Sequence, residues 1–111
     1  MSQTLNKIIL IGHFGADPES RSLPSEQDKI VVNVSLATTE RWTDKTTQED
    51  KEETEWHSLV LYNQQARFAR DYLKKGAKVY VEGRNRTRKW DDDKGVTRYK
   101  TEVIVSDLKT V

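Results

Sequence analysis

Cysteine is absent from the 111 residues, which excludes a disulfide framework and a thiolate metal site and fits a reducing compartment. The two histidines, His13 and His57, have no partner histidine or cysteine at a ligand spacing, so no metal site is expected. No apolar run approaches the roughly eighteen residues of a membrane span. The start Met1-Ser2-Gln3-Thr4 lacks a basic-then-apolar pattern, so no export peptide is expected and a cytoplasmic location is. No Walker-type loop occurs, and Gly12-x-x-Gly15 is too short to cradle a phosphate. No serine or lysine has a nucleophile's setting, so neither catalysis nor a cofactor is expected. The only prolines, Pro18 and Pro24, fall with Gly12 and Gly15 in one stretch, which reads as a loop region.

Net charge is also nearly absent, at +1, yet the charges are segregated. Residues 40–55 hold seven acids against Arg41, Lys45 and Lys51, a local charge of −4. Residues 84–100 hold seven cations against Asp91, Asp92 and Asp93, a local charge of +4. Salt screens charges beyond about 8–10 Å, so a bound polyanion feels the local excess more than the total.

Apolar and charged residues make up 34% and 33% of the chain, so one domain with a small core is expected. Lys7-Ile8-Ile9-Leu10-Ile11 is apolar on both faces and predicts a strand covered on both sides. Ile30, Val32, Val34 and Leu36 then mark the inner face of a second strand. Residues 43–54 contain no apolar side chain and predict a long mobile hairpin loop. In the third strand, residues 56–62, Leu59 and Leu61 oppose Trp56, Ser58, Val60 and Tyr62. A helix fits residues 64–75, capped by Asn63, with Ala66, Ala69 and Leu73 on one stripe and Gly76 as its stop. Two more strands, residues 77–88 and 98–105, follow around a turn at Asp92-Asp93-Lys94-Gly95. The expected fold is therefore all-β with one helix, β-β-β-α-β-β, the order of a five-stranded OB-type Greek-key barrel.

Function is signalled by Glu55-Trp56-His57 and by Arg84-Asn85-Arg86-Thr87-Arg88-Lys89-Trp90, which puts four cations in six residues beside an indole. A base offers a flat apolar face to tryptophan, and its phosphate takes a guanidinium or ammonium alongside. Trp56 has the parity of the outer face, Trp90 follows the cations, and Trp42 opens a polar stretch, so all three read as exposed stacking platforms. Tyr62 shares the face of Trp56, where its ring can close the barrel end. Arg84, Arg86 and Arg88, with Lys89, are candidate phosphate contacts, a charge-protected strand edge being the alternative. Lys45 joins that set, with pairing to neighbouring acids as its rival. The Asp91–Asp93 triplet reads as a solvated turn.

The stretches Asn6-Lys7-Ile8-Ile9-Leu10-Ile11-Gly12, Asp17-Pro18-Glu19, Leu36-Ala37-Thr38 and Thr54-Glu55-Trp56-His57 occur in this order. Tyr72-Leu73-Lys74-Lys75-Gly76, Val79-Tyr80-Val81-Glu82-Gly83 and Arg86-Thr87-Arg88-Lys89-Trp90 follow. Together they make the sequence resemble the bacterial single-stranded DNA-binding protein family over nearly its whole length. The resemblance implies a homotetrameric OB barrel that binds single-stranded DNA with little sequence preference during replication, recombination and repair. It implies stacking by Trp42, Trp56 and Trp90, with Tyr62 where many members carry phenylalanine. Lys7, Arg21 and Lys75 join the implied phosphate contacts, and Asn6, Ile9, Ile11, His57 and Tyr80 the implied oligomer contacts.

Departures from the family pattern are Ser58 and Gln64, where well-known members carry arginine and lysine, and an acidic loop expected over residues 23–29. Members usually continue through a glycine-rich stretch to an acidic tip that recruits other enzymes. The sequence stops at Val111, so tail-mediated recruitment is not carried over. The rival readings are an OB-type adaptor that binds a protein and an RNA-binding barrel.

Overall fold

The computed structural model describes residues 3–23 and 26–111. Its strands are β1 (Ile8–Phe14), β2 (Ser20–Leu23), β3 (Glu26–Thr43), β4 (Asp50–Tyr62), β5 (Lys78–Asp91) and β6 (Thr97–Thr110), with helix α1 (Asn63–Tyr72) between β4 and β5. The sheet order β1-β5-β6-β4-β3-β2 is closed by a further β1–β3 pairing, so five strands form a ring. This is the expected OB-type barrel, with one addition. Short β2 pairs with β3 at Val31 and Val32, on the same edge that β1 meets at Leu36 and Ala37. The chain thus lays two strand segments end to end along β3. Pro24 and Ser25, from the loop expected over residues 23–29, lie outside the described residues; Leu23 and Glu26 are paired as strand.

Alternation builds the core. Val32, Val34 and Leu36 of β3 meet Leu59 and Leu61 of β4, Val79 and Val81 of β5, and Val103 and Val105 of β6, all under a tenth exposed. Ala66, Ala69 and Leu73 press the helix onto this barrel. On β1, Ile8 and Leu10 turn inward while Ile9 and Ile11 are 54% and 53% exposed, so the barrel covers only one face of that strand. Gly12 lets β1 cross β3 closely, because a Cβ there would stand 2.2 Å from the Ala37 carbonyl oxygen.

Two expectations change. Half of the loop expected over residues 43–54 is ladder: β3 and β4 pair from Val31↔Tyr62 out to Thr43↔Asp50, which leaves residues 44–49 as the turn. The hairpin projects beyond the barrel with solvent on both sides, so nothing selects apolar residues on either face. Polar cross-strand pairs tie it instead, Thr39 to Thr54 at 3.1 Å and Arg41 to Glu52 at 3.2 Å. Its turn is tied by Asp44, which accepts from the Thr46 and Thr47 amides at 2.8 and 3.0 Å. Those amides hold the Asp44 carboxyl below its ordinary pKa.

The helix also ends at Tyr72, earlier than expected, with Leu73 extended as its C-cap. Asn63 is not a side-chain cap: it has φ +51°, and its Oδ1 is buried without a hydrogen-bond partner among the described residues. Gly76, at φ +89°, serves the following turn, where its amide donates to the Phe14 carbonyl at 2.8 Å.

Candidate nucleic-acid interface

Strands β4 and β6 join in parallel through Leu59↔Val103 and Val60↔Ile104, which makes the outer surfaces of β3, β4, β6 and β5 continuous. Residues opposite the core on these strands share that surface. They include Trp56, Ser58, Val60 and Tyr62 on β4, and Arg84, Arg86, Arg88 and Trp90 on β5. A shallow groove of about 450 Å³ crosses it, lined by Val31, Asn33, Val60 and Tyr62 and by Arg21, Arg86, Arg88, Lys100 and Glu102. Its lining thus combines a phenol ring with three guanidinium groups.

Each aromatic has a distinct setting. Trp56 is 59% exposed, and its indole lies against Gly15, where a Cβ would stand 2.5 Å from Trp56 Cζ3. The Gly15 amide donates to the Ser35 carbonyl at 2.9 Å, which fixes this backbone beneath the ring. Tyr62 is half-buried at the groove. Trp90 lies near the tip of the β5–β6 hairpin, with Arg88 Cζ 4.7 Å from its ring centroid, within cation–π range. Trp42 is 46% exposed but pairs with Lys51 far out on the β3–β4 hairpin. Its parity puts it on the opposite face of that ribbon from Trp56. Three of the four expected platforms therefore share the outer surface, and Trp42 stands apart.

The expected cations divide similarly. Arg21, Arg84, Arg86 and Arg88 belong to the outer surface. Lys89 alternates to the reverse face of its hairpin and pairs with the exposed Tyr99. Lys45 sits in the β3–β4 turn. Exposed Lys75 follows the helix, its amide donating to Asp17 Oδ1 at 2.8 Å. Lys7 lies 3.7 Å from Glu82 on the outer side of β1 and β5.

Of the expected oligomer contacts, Ile9 and Ile11 pair with Glu82 and Tyr80 on one open face. His57 borders the same region and bonds Thr38 Oγ1 through Nε2 at 2.9 Å. The Tyr80 hydroxyl donates to Glu82 Oε1 at 2.7 Å, which lowers the Glu82 pKa and raises that of Tyr80. Asn6 instead extends the β1–β5 ladder, its amide bonding both Asn85 O and Asn85 N at 2.7 and 3.1 Å.

Sequence reasoning missed Glu102. Its side chain is 5% exposed, and its Oε1 accepts from Arg88 Nε at 2.8 Å with Arg86 Nη2 at 3.7 Å. The signal was available: once the turn at residues 92–95 is fixed, antiparallel register sets Glu102 opposite Arg86. In that turn Asp92 accepts from the Val96 and Lys94 amides, both at 2.9 Å, and from Arg98 Nε at 3.0 Å. These donors, the Val96 amide foremost, hold its carboxyl below its ordinary pKa.

A closed five-strand barrel with this helix between its strands is an OB-type barrel, a class whose outer strands and loops bind oligonucleotides. The chain belongs to the single-strand binding protein family, whose profile matches residues 5–111. It is also similar to a solved structure described as a Plasmodium falciparum SSB complex with ssDNA. The two share 40% identity over 100% of this chain and 98% of the other, at a TM-score of 0.86.

Proposed function

We propose that this protein binds single-stranded DNA without catalysing a reaction on it and with little sequence preference. The observation that carries this reading is the groove on the outer surface whose lining brings Tyr62, Val31 and Val60 together with Arg21, Arg86 and Arg88. Bases stack on Trp56, Tyr62 and Trp90, with Trp42 reached farther along the strand. Phosphates follow Arg21, Arg84 and Arg86. Each stacked base contributes about 1–3 kcal/mol, so a few platforms offset the ordering of a flexible strand. A duplex hides its base faces and leaves only the phosphate attraction, so the site favours unpaired strands. Such a binder protects exposed strands during replication, recombination and repair, the processes in which the family works.

The chain acts as a homo-oligomer on this reading, most simply a tetramer. Ile9 and Ile11 form an apolar strip, with Tyr80 beside it, that the barrel leaves open. A second copy covers it.

Tryptophan fluorescence during titration with long oligo-dT, and with duplex of equal length, tests the function. Strong quenching by the single strand and little by the duplex is expected. No quenching at low salt would overturn the reading and favour a protein-binding adaptor.

A further inference from the structure

Arg86 and Arg88 lie on the same strand face, yet their surroundings give them different work. Arg88 Nε donates to Glu102 Oε1 at 2.8 Å, and its guanidinium carbon lies 4.7 Å from the Trp90 ring centroid. The carboxylate is 5% exposed, so pulling Arg88 away would leave a buried charge with only a distant partner. Arg86 meets the same oxygen at 3.7 Å, beyond hydrogen-bonding distance, and its own Nε is buried without a partner among the described residues. One arginine is hydrogen-bonded to the carboxylate; the other stands farther from it and keeps an unmet donor.

We infer that Glu102 is a positioning residue for the Trp90 platform, fixing Arg88 over one face of the indole so that a single base stacks on the other. Arg88 is then a structural backing for the ring. Its charge is cancelled by Glu102, so it contributes little to counterion release when a strand binds. Arg86 carries the phosphate contact. The inference deepens the single-strand reading above and rests on it for the role of the base, whereas the clamp itself exists without DNA.

The test uses protein in which Trp42→Phe and Trp56→Phe leave Trp90 as the sole indole. Glu102→Gln keeps the side-chain volume and removes the charge. Arg88→Lys keeps the charge but removes the flat guanidinium and its Nε. Acrylamide quenching of Trp90 in the free protein is measured first, followed by oligo-dT titrations at several salt concentrations.

Both variants are expected to expose Trp90 to acrylamide and to lose most of its quenching by oligo-dT. Each should weaken binding by about tenfold, the loss of one stacking platform. Neither should flatten the salt dependence. Arg86→Ala is expected to leave free Trp90 unchanged and to lower the salt slope by about 0.7.

Unchanged acrylamide access in both variants overturns the clamp. So does a salt slope lowered by about 0.7 in Arg88→Ala, the drop expected of Arg86→Ala, since Arg88 would then be a phosphate contact. If Glu102→Gln fails to fold by circular dichroism, Arg88→Lys decides the matter. If the parent itself ignores oligo-dT, the functional reading fails, and free-state acrylamide access still decides the clamp.

Discussion

The Trp56 indole rests on Gly15, so close that a Cβ at that glycine would stand 2.5 Å from Cζ3 and 3.1 Å from Cη2. A side chain there has to displace the ring. Trp56→Ala is expected to weaken oligo-dT binding by about 1–3 kcal/mol. Gly15→Ala, which shifts the platform without deleting it, is expected to cost less and to increase acrylamide access to Trp56 in the free protein. Equal access in the parent and Gly15→Ala would show that the ring does not depend on the glycine.

Tyr62 tests whether the groove uses a π-face or a hydroxyl. Tyr62→Phe is expected to bind oligo-dT like the parent, whereas Tyr62→Ala loses about 1–3 kcal/mol. A loss in Tyr62→Phe matching that in Tyr62→Ala would assign the binding to the hydroxyl.

Ile11 stands exposed on the outer side of β1 beside Tyr80. Ile11→Lys is expected to reduce the mass seen by light scattering while leaving the circular dichroism of the barrel unchanged. A parent that is already a monomer at micromolar concentration would remove the oligomer proposal.

Leu61, on β4, is fully buried in the core. Leu61→Ala is expected to destabilise the fold by about 2–5 kcal/mol, through lost transfer energy and the cavity left behind. Urea denaturation checks the size of the effect.

The turns depend on ionised carboxylates. Asp44 and Asp92 both have folded pKa values below their ordinary ones, chiefly through backbone amides. Their contribution is therefore present above the unfolded aspartate pKa and is lost as pH falls through the lower folded values. The Thr46, Thr47, Lys94 and Val96 amide resonances are expected to hold through the ordinary aspartate range and shift only below it. Movement within that range would contradict the hydrogen bonds.

The barrel was legible in the sequence because burial selects alternation: Val32, Val34 and Leu36, with Leu59 and Leu61, announced an inner face. The hairpin arms were not, because a ribbon wet on both sides leaves no period to read. Thr43 and Asp50 thus looked like loop and are paired strand. Parity and local charge identified Trp56 and Trp90 as candidates, the family resemblance added Tyr62, and the strand register puts them on one surface. Composition could not separate Lys89 from Arg88, because the argument from local charge ignored the one-residue step that sends neighbours to opposite faces. Asn63 had a capping residue's chemistry but not its backbone, since β4 runs directly into the helix. Glu102 stayed hidden because an acid within a basic segment lowers its net charge and looks like dilution.

The seam between β4 and β6 runs through Leu59↔Val103 and Val60↔Ile104, positions 44 apart in the chain (103 − 59). The β3–β4 and β5–β6 ladders, by contrast, grow outward from their own turns. Joining β4 to β6 requires closing a long segment for two residue pairs, an entropic cost met before the contacts return it. The hairpins are therefore expected to form early and the seam between them late. The outer surface becomes continuous only when that seam forms, so the groove comes into being after both hairpins and vanishes as soon as the seam opens.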